Sequence, residues 1–210
     1  MGVFGLGKPD ESPLAAGVPL MLSSANPDKV REIVEIFVVP GYFLVPRPNA
    51  MAEVDETGET LQDNALLKAR AGARQVGHGA IADDTGLEVA ALDGRPGVYS
   101  ARFAGVGASY EDNVSLLLSQ MDGVQDRRAR FVTVAVAVLA GGREIIAEGV
   151  TEGHIAEYPR GTEGFGYDPI FVPDDGDGRT LAEMSAEDKH AVSHRGRAFR
   201  QLVAQLKPLR

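Results

Sequence analysis

Apolar and polar positions along the chain follow two periods. Pro19-Leu20-Met21-Leu22-Ser23 is a short, nearly continuous apolar run, which predicts a buried strand. Val30, Ile33, Val34 and Phe37 then fall at i, i+3, i+4 and i+7, the spacing of one helix face. Asn26 suits the N-cap of that helix and Pro27 its first position. Phe43-Leu44-Val45 is expected to be a second strand, followed by a polar loop over residues 46–59. Thr60 opens a second helix, with Asp63 at capping-box spacing, an apolar face of Leu66, Ala69, Ala73 and Val76, and Gly77 as its stop. Ala80-Ile81-Ala82 reads as a buried strand that ends in Asp83-Asp84-Thr85-Gly86. Val132, Val134, Val136 and Val138 alternate along a further strand, Gly141-Gly142 reads as a two-residue hairpin turn, and residues 143–150 return beside it. Phe199, Leu202, Val203 and Leu206 mark a last helix. Helices and strands are mixed and no repeat is present, so the class is α/β or α+β. Residues 1–17, rich in Gly and Pro, are expected to be a flexible extension ahead of one domain over residues 18–210.

Composition narrows the chemistry. The chain has no cysteine, which excludes a disulfide scaffold, a zinc–thiolate site and a cysteine nucleophile. A net charge of -9 repels polyanions, so a nucleic-acid polymer is not an expected partner. A local cluster of Lys and Arg can still hold a small phosphorylated ligand, and an acidic excess suits a divalent cation. No run is long and apolar enough to cross a bilayer, and the N-terminus lacks the basic start of a signal peptide. No membrane association is expected, and the cytoplasm is the expected location.

Four segments carry candidate chemistry. Ser24-Ala25-Asn26-Pro27-Asp28-Lys29 leads from a strand into a helix N-terminus, where free N–H groups, the helix dipole and a lysine favour an anion; an ordinary capped helix reads the same way. Asp83-Asp84 places two carboxylates at a buried strand's end, where a cation or several donors must satisfy them; Asp-Asp-Thr-Gly is equally good turn chemistry. Gly164-Phe165-Gly166-Tyr167-Asp168-Pro169 sets an aromatic ring between two glycines, either as a base-stacking platform or as a packed turn. Lys189 with Ser193-His194-Arg195-Gly196 gathers cations just ahead of the last helix. Asp174-Asp175-Gly176-Asp177-Gly178 fails the EF-hand pattern at Pro173 and Met184.

Taken in order, these segments resemble the inosine triphosphate pyrophosphatase family, the dITP/XTP pyrophosphatases. The resemblance runs from about Leu20 to the C-terminus. It adds Glu56-Thr57-Gly58, Asp63-Asn64-Ala65 with Lys68-Ala69, and Ala82-Asp83-Asp84-Thr85-Gly86-Leu87 running on through Pro96-Gly97-Val98-Tyr99-Ser100-Ala101-Arg102. The family has Thr where Ser24 stands, Glu where Asp63 stands and Ser where Thr85 stands, so each hydroxyl or carboxylate is kept.

The resemblance implies an α/β fold with an elongated central mixed sheet flanked by helices, and two lobes with a substrate cleft between them. It also implies a homodimer. The implied reaction is Mg2+-dependent hydrolysis of purine nucleoside triphosphates such as dITP, ITP and XTP to the monophosphate and pyrophosphate. Asp84 is then the proton acceptor and main metal ligand, Glu56 completes the metal site and Asp83 holds a water of the metal's shell. Ser24, Ala25, Asn26, Pro27, Asp28, Lys29 and Lys68 are expected at the phosphates, Lys189 near sugar, phosphate or base, and Thr85 on the nucleotide. Phe165, with Gly166 and Tyr167, is expected to stack on the purine, and Asp168, His194 and Arg195 to read its edge. Two rivals stand beside this: a nucleotide pyrophosphatase of related fold that prefers other modified bases, such as the Maf-like pyrimidine hydrolases, and a non-catalytic nucleotide sensor.

Overall fold

The computed structural model describes residues 17–206 except residue 53. The extension expected over residues 1–17 lies outside that range apart from Gly17. The elements run β1 (Val18–Leu22), α1 (Pro27–Ile36), β2 (Tyr42–Pro46), α2 (Leu61–Val76), β3 (Gly79–Val89), β4 (Pro96–Gly97), α3 (Tyr110–Gln120), β5 (Arg128–Val138), β6 (Glu144–Ile155), β7 (Phe171–Pro173), α4 (Ala186–Val192) and α5 (His194–Gln205). The strands form one mixed sheet in the order β2-β1-β3-β5-β6-β7, with β4 paired to β3. β1 runs parallel to β2 and β3, and the remaining pairs are antiparallel. This is the α/β class, one of the two left open by the hydrophobic pattern, with the central mixed sheet that the family resemblance implied.

Both faces of the sheet are covered. Ile81, Ala135 and Ala137 pack under Phe199 and Leu202 of α5 on one face. Ala82, Val134 and Val136 pack under Leu61, Ala65 and Ala69 of α2 on the other. That is why β5 is buried at consecutive positions from Phe131 to Val138. Each fully buried Val, Leu or Ile there contributes about 1.5–3 kcal/mol. A third cluster, around Leu87, Leu117, Phe131 and Phe171, fills the opposite end of β3 from Ile81. Gly149 lets α5 lie close on β6, since a side chain there would meet the backbone of His194 and Ala198.

Local signals produced the expected helix starts. Asn26 caps α1 by accepting from the N–H groups of Asp28 and Lys29. Thr60 caps α2, and Gly77 ends it in the left-handed region at φ 71°. The capping box is half made: Asp63 N–H donates to the Thr60 hydroxyl at 3.1 Å, and the Asp63 carboxylate accepts from that hydroxyl at 2.7 Å in place of the Thr60 N–H.

Four expectations need correction. Val34 is 54% exposed, and α1 turns Glu32 and Ile33 inward instead, because Glu32 meets two buried cations described below. β3 does not end at Asp83-Asp84 but runs on to Val89, since β5 pairs with it continuously from Ala80 to Val89 and overrides the local turn preference. The hairpin after β5 has a three-residue loop over 140–142, closed by Leu139 N–H to the Arg143 carbonyl at 2.8 Å, with Gly141 and Gly142 both at positive φ. Ser193 is the N-cap of α5, so His194 and Arg195 lie inside the helix and not ahead of it.

Candidate functional site

β1 stops pairing with β3 at Leu22, opposite Ile81. Beyond that point the chain turns off into α1 and leaves β3 without a parallel neighbour. In open α/β sheets such a gap is where ligands bind. A cleft of about 830 Å³ opens there. Ser24, Ala25, Asn26, Lys29, Glu56, Lys68, Asp84, Thr85, Phe165, Gly166, Tyr167, Asp168, His194 and Arg195 all border it. Four expected site residues do not: Pro27, Asp28, Asp83 and Lys189. Asp83 and Lys189 act one layer behind it.

At the α1 end, most N–H groups expected to hold an anion are already engaged. Asn26 N–H donates to the Ser24 hydroxyl at 3.3 Å, and Asn26 Oδ1 takes Asp28 and Lys29 N–H at 2.9 and 3.2 Å. Pro27 has none. Ser24 and Ala25 N–H and the Lys29 ammonium are what this segment has left for an anion. Burial lowers the pKa of Lys29, as do Lys68 and Arg195, against the pull of Asp83 and Asp84.

Consecutive strand residues face opposite sides of a sheet, and this separates the two aspartates. Asp83 shares the α1 and α5 side. Its Oδ2 accepts from Lys29 and from Arg195 Nε and Nη2 at 3.3 Å, and lies 3.2 Å from the Thr85 hydroxyl. Its Oδ1 is buried with no partner among the described residues. Burial raises its pKa, but Lys29, Arg195 and Lys68 outweigh it and hold the carboxyl far below the usual range. Asp84 shares the α2 side. Its Oδ1 takes the Lys68 ammonium at 2.8 Å and its Oδ2 lies 3.4 Å from Asn64 Nδ2. Here burial wins over Lys68 and Lys29, with Glu56 adding to it, and the pKa is raised.

Glu56 meets Asp84 on the same cation. Lys68 Nζ lies 2.8 Å from an oxygen of each. Burial opposes the charged form of Glu56, yet Lys68, Lys29 and Arg102 hold its pKa below the ordinary value. Lys68 is itself held charged: burial lowers its pKa, and Asp84, Asp83 and Glu56 raise it by more. Asn64, fully buried, ties this corner together by accepting from Gly58 N–H at 2.8 Å while it donates toward Asp84. Magnesium needs oxygen ligands and commonly takes one or two carboxylates, with water and phosphate for the rest. Glu56 and Asp84, already converged on one cation, fit that demand. Asp83, on the other face, does not join them, and among the described residues no three acidic or His side chains form a metal cluster.

At the far end Phe165 sits among cations. Lys189 Nζ is 5.0 Å and Arg195 Cζ 5.4 Å from its ring centre. Gly164 must be glycine, at φ 72°, because a side chain there would run into the Asp168 carboxylate. Asp168 accepts from Phe165 N–H at 2.7 Å and from Lys189 at 2.5 Å, which fixes the loop. Burial raises the Asp168 pKa, with Glu32 adding and Lys189 opposing. Lys189 stays charged because Asp168 and Glu32 outweigh its burial. Tyr167 borders the cleft, but its hydroxyl donates to the Ser100 carbonyl at 2.9 Å, a supporting bond. Arg195 spends four of its N–H groups on Glu32 (2.7 Å), Asp83 and Thr85 (3.1 Å). A guanidinium has five, so one is left for a ligand.

His194 is neutral. Burial, Arg195 and Lys189 push its pKa well below 6.5. Its ring stacks on Phe131 at 4.4 Å, and its Nδ1 lies 2.6 Å from the Thr133 hydroxyl. Thr133 in turn lies 2.7 Å from the Thr85 hydroxyl, which accepts from Arg195.

Several residues here were not singled out from the sequence. Glu32 accepts from both Lys189 (2.5 Å) and Arg195 (2.7 Å), and although burial opposes its charged form, Arg195 and Lys189 lower its pKa. Its spacing from Lys29 reads as a surface pair, so nothing local marks it. Thr133 reads as one more position in a Val-rich strand. Tyr110 bonds Asn26 and Asp28 from across the cleft, a contact over more than eighty positions. The rejected Asp174–Gly178 loop is held by ion pairs of Arg197 with Asp175 and Arg179 with Asp177, and His154 Nδ1 lies 3.5 Å from Asp174.

Comparison with known proteins bears on this site. The model of the Ham1 family matches residues 20–205. A dITP/XTP pyrophosphatase of Symbiobacterium thermophilum is 47% identical over 192 residues, covering 90% of this chain and 95% of that protein. One from Methylococcus capsulatus is 47% identical over 196 residues, covering 90% and 96%. Among solved structures, the Ham1 protein of Staphylococcus aureus superposes with a TM-score of 0.80 at 39% identity, over 90% of this chain and 97% of that one. A HAM1 protein from Coxiella burnetii gives 0.81 at 38% identity, over 90% and 98%.

Proposed function

The chain belongs to the Ham1 family, and on that premise we propose that it hydrolyses non-standard purine nucleoside triphosphates, dITP, ITP and XTP, to the monophosphate and pyrophosphate. The role is to clear deaminated purines from the nucleotide pool. The observation that carries this reading is the meeting of Glu56 and Asp84 on one cation, 2.8 Å from each, in a cleft that also holds the Phe165 ring among cations.

Phosphoryl transfer needs placement and charge neutralisation more than covalent work by the protein. Lys29 and the N–H groups of Ser24 and Ala25 hold the phosphates, and Lys68 adds charge for the departing pyrophosphate. Magnesium, held by Glu56 and Asp84, would neutralise phosphate charge and acidify the attacking water. Asp84 takes the proton of that water. A free Asp, pKa about 3.9, is a feeble base; burial raises the proton affinity of this one without metal, bound magnesium would lower it again, and much of the activation would then fall to the metal. Asp83 orients Lys29 and Arg195.

The purine lies on Phe165. Of its two possible acceptors, Asp83 at 3.2 Å and Thr133 at 2.7 Å, we assign the Thr85 proton to Thr133, and Thr133 then donates to His194 Nδ1. The neutral ring then carries its proton on Nε2. That N–H and the remaining Arg195 N–H donate to the C6 carbonyl of hypoxanthine or xanthine. Adenine carries an amino group there, and the donors stay unpaired at a cost of roughly 1–3 kcal/mol. A homodimer, on the strength of the family resemblance, and the cytoplasmic location expected from the sequence complete the proposal.

The test is pyrophosphate release from dITP, XTP, dATP and dGTP, with magnesium and with a chelator. Magnesium-dependent release confined largely to dITP and XTP is the expected result. Equal use of all four would leave the base reading without support, and no turnover would leave only a nucleotide sensor.

A further inference from the structure

Tyr110, the first residue of α3, reaches both ends of the cleft. Its hydroxyl accepts from Asn26 Nδ2 at 3.0 Å and donates to Asp28 Oδ2 at 3.2 Å. Its ring centre lies 5.7 Å from that of Phe165, at an interplanar angle of 44°. The residue is 37% exposed and borders the cleft. A full capping box between Ser109 and Asp112 fixes the helix start that carries it. One side chain thus spans from the helix end assigned to the phosphates to the platform assigned to the base. In a nucleoside triphosphate the sugar occupies that interval.

We propose that Tyr110 packs its ring against the sugar of the bound nucleotide and is a binding residue for that part of the substrate. This rests on the pyrophosphatase reading above. An aromatic ring offers a large apolar face at low entropic cost, suited to the C–H surface of a sugar. The hydroxyl bridge to Asn26 and Asp28 holds the ring in place over the cleft before the nucleotide arrives.

Removal of Tyr110 also frees Asn26, so a sugar contact has to be separated from a disturbed α1 N-terminus. Inorganic tripolyphosphate makes that separation, because it carries the phosphates without sugar or base. The experiment is calorimetric titration, in magnesium, of a non-hydrolysable α,β-imido analogue of dITP and of tripolyphosphate into wild type, Tyr110→Ala and Tyr110→Phe. Tyr110→Ala is expected to weaken the analogue about tenfold and to leave tripolyphosphate within about twofold of wild type. Tyr110→Phe keeps the ring and is expected to stay within about threefold for both ligands. In dITP hydrolysis, Tyr110→Ala should raise KM with kcat held. Equal weakening of both ligands by Tyr110→Ala, or no weakening of the analogue, overturns the proposal. A wild-type chain that binds the analogue without hydrolysing dITP ends the pyrophosphatase reading, and the affinity ratio still decides the role of Tyr110. A wild-type chain that does not bind the analogue overturns both.

Discussion

Asp83 and Asp84 are neighbours in one strand and the same amino acid, yet the two faces of β3 give them opposite proton affinities. On the α5 face, Asp83 is the anchor of a buried charge network, gripped by Lys29 and Arg195 and held strongly ionised. On the α2 face, Asp84 contacts only Lys68, which it shares with Glu56, while Lys29 acts from further off; burial and the Glu56 charge prevail and raise its pKa. Burial is the largest influence on both, and the number of cations facing each carboxylate decides the outcome. One position is built to stay charged and hold others in place. The other faces the cleft, where it shares Lys68 with Glu56. Alternation along a strand is enough to put both roles on adjacent residues.

Breaking one side at a time tests this division. The largest effect is expected from Asp84→Asn, which keeps the shape and loses the proton acceptor: turnover of dITP should fall by roughly 10²- to 10⁴-fold, with the melting temperature little changed. Near-wild-type turnover would remove Asp84 from its role. Asp83→Asn should act on the fold first. It leaves Lys29 and Arg195 buried with less opposing charge, a cost of about 3 kcal/mol and a melting temperature lower by roughly 6–12 °C. If thermal melts of the two variants were indistinguishable, the anchor role would be wrong.

Smaller effects probe the base end. Thr133→Val breaks the hydroxyl chain that sets the His194 tautomer, and should cut the preference for dITP over dATP about tenfold, read as a ratio of kcat/KM values. His194 gives the smallest and most gradual effect. Its folded pKa lies well below 6.5, so the unfolded chain takes up the proton first. Its contribution to stability is complete above pH 6.5 and is lost as pH falls toward the folded value. Melting temperatures between pH 7.5 and pH 5 should therefore decline, and His194→Gln should flatten that decline. An unchanged slope would mean that the ring is already protonated or is not buried in solution.

What could be read from the sequence was what local chemistry decides. Asn26 and Thr60 cap their helices because a cap depends on residues within three positions, and Gly77 ends α2 for the same reason. The alternating valines of β5 declared a strand. The true length of β3 was hidden, because its pairing partner lies about fifty positions away and overrides Asp-Asp-Thr-Gly as a turn. Glu32, Thr133 and Tyr110 were hidden likewise: each owes its place to a partner brought near only by the fold. Val34 fits the helical spacing and still faces out, because a charged residue with buried counterions displaced it from the inward side. Periodicity sees apolar faces and is blind to a buried ion network.

The most direct test of the central claim is the identity of the products. Phosphorus NMR of dITP incubated with the wild-type chain and magnesium should show the monophosphate and pyrophosphate appearing in equal amounts, with no diphosphate intermediate and no early orthophosphate. Appearance of dIDP with orthophosphate would mean that the γ-phosphate is the one removed, and would contradict the assignment of Glu56, Lys68 and Asp84 to cleavage between the α- and β-phosphates.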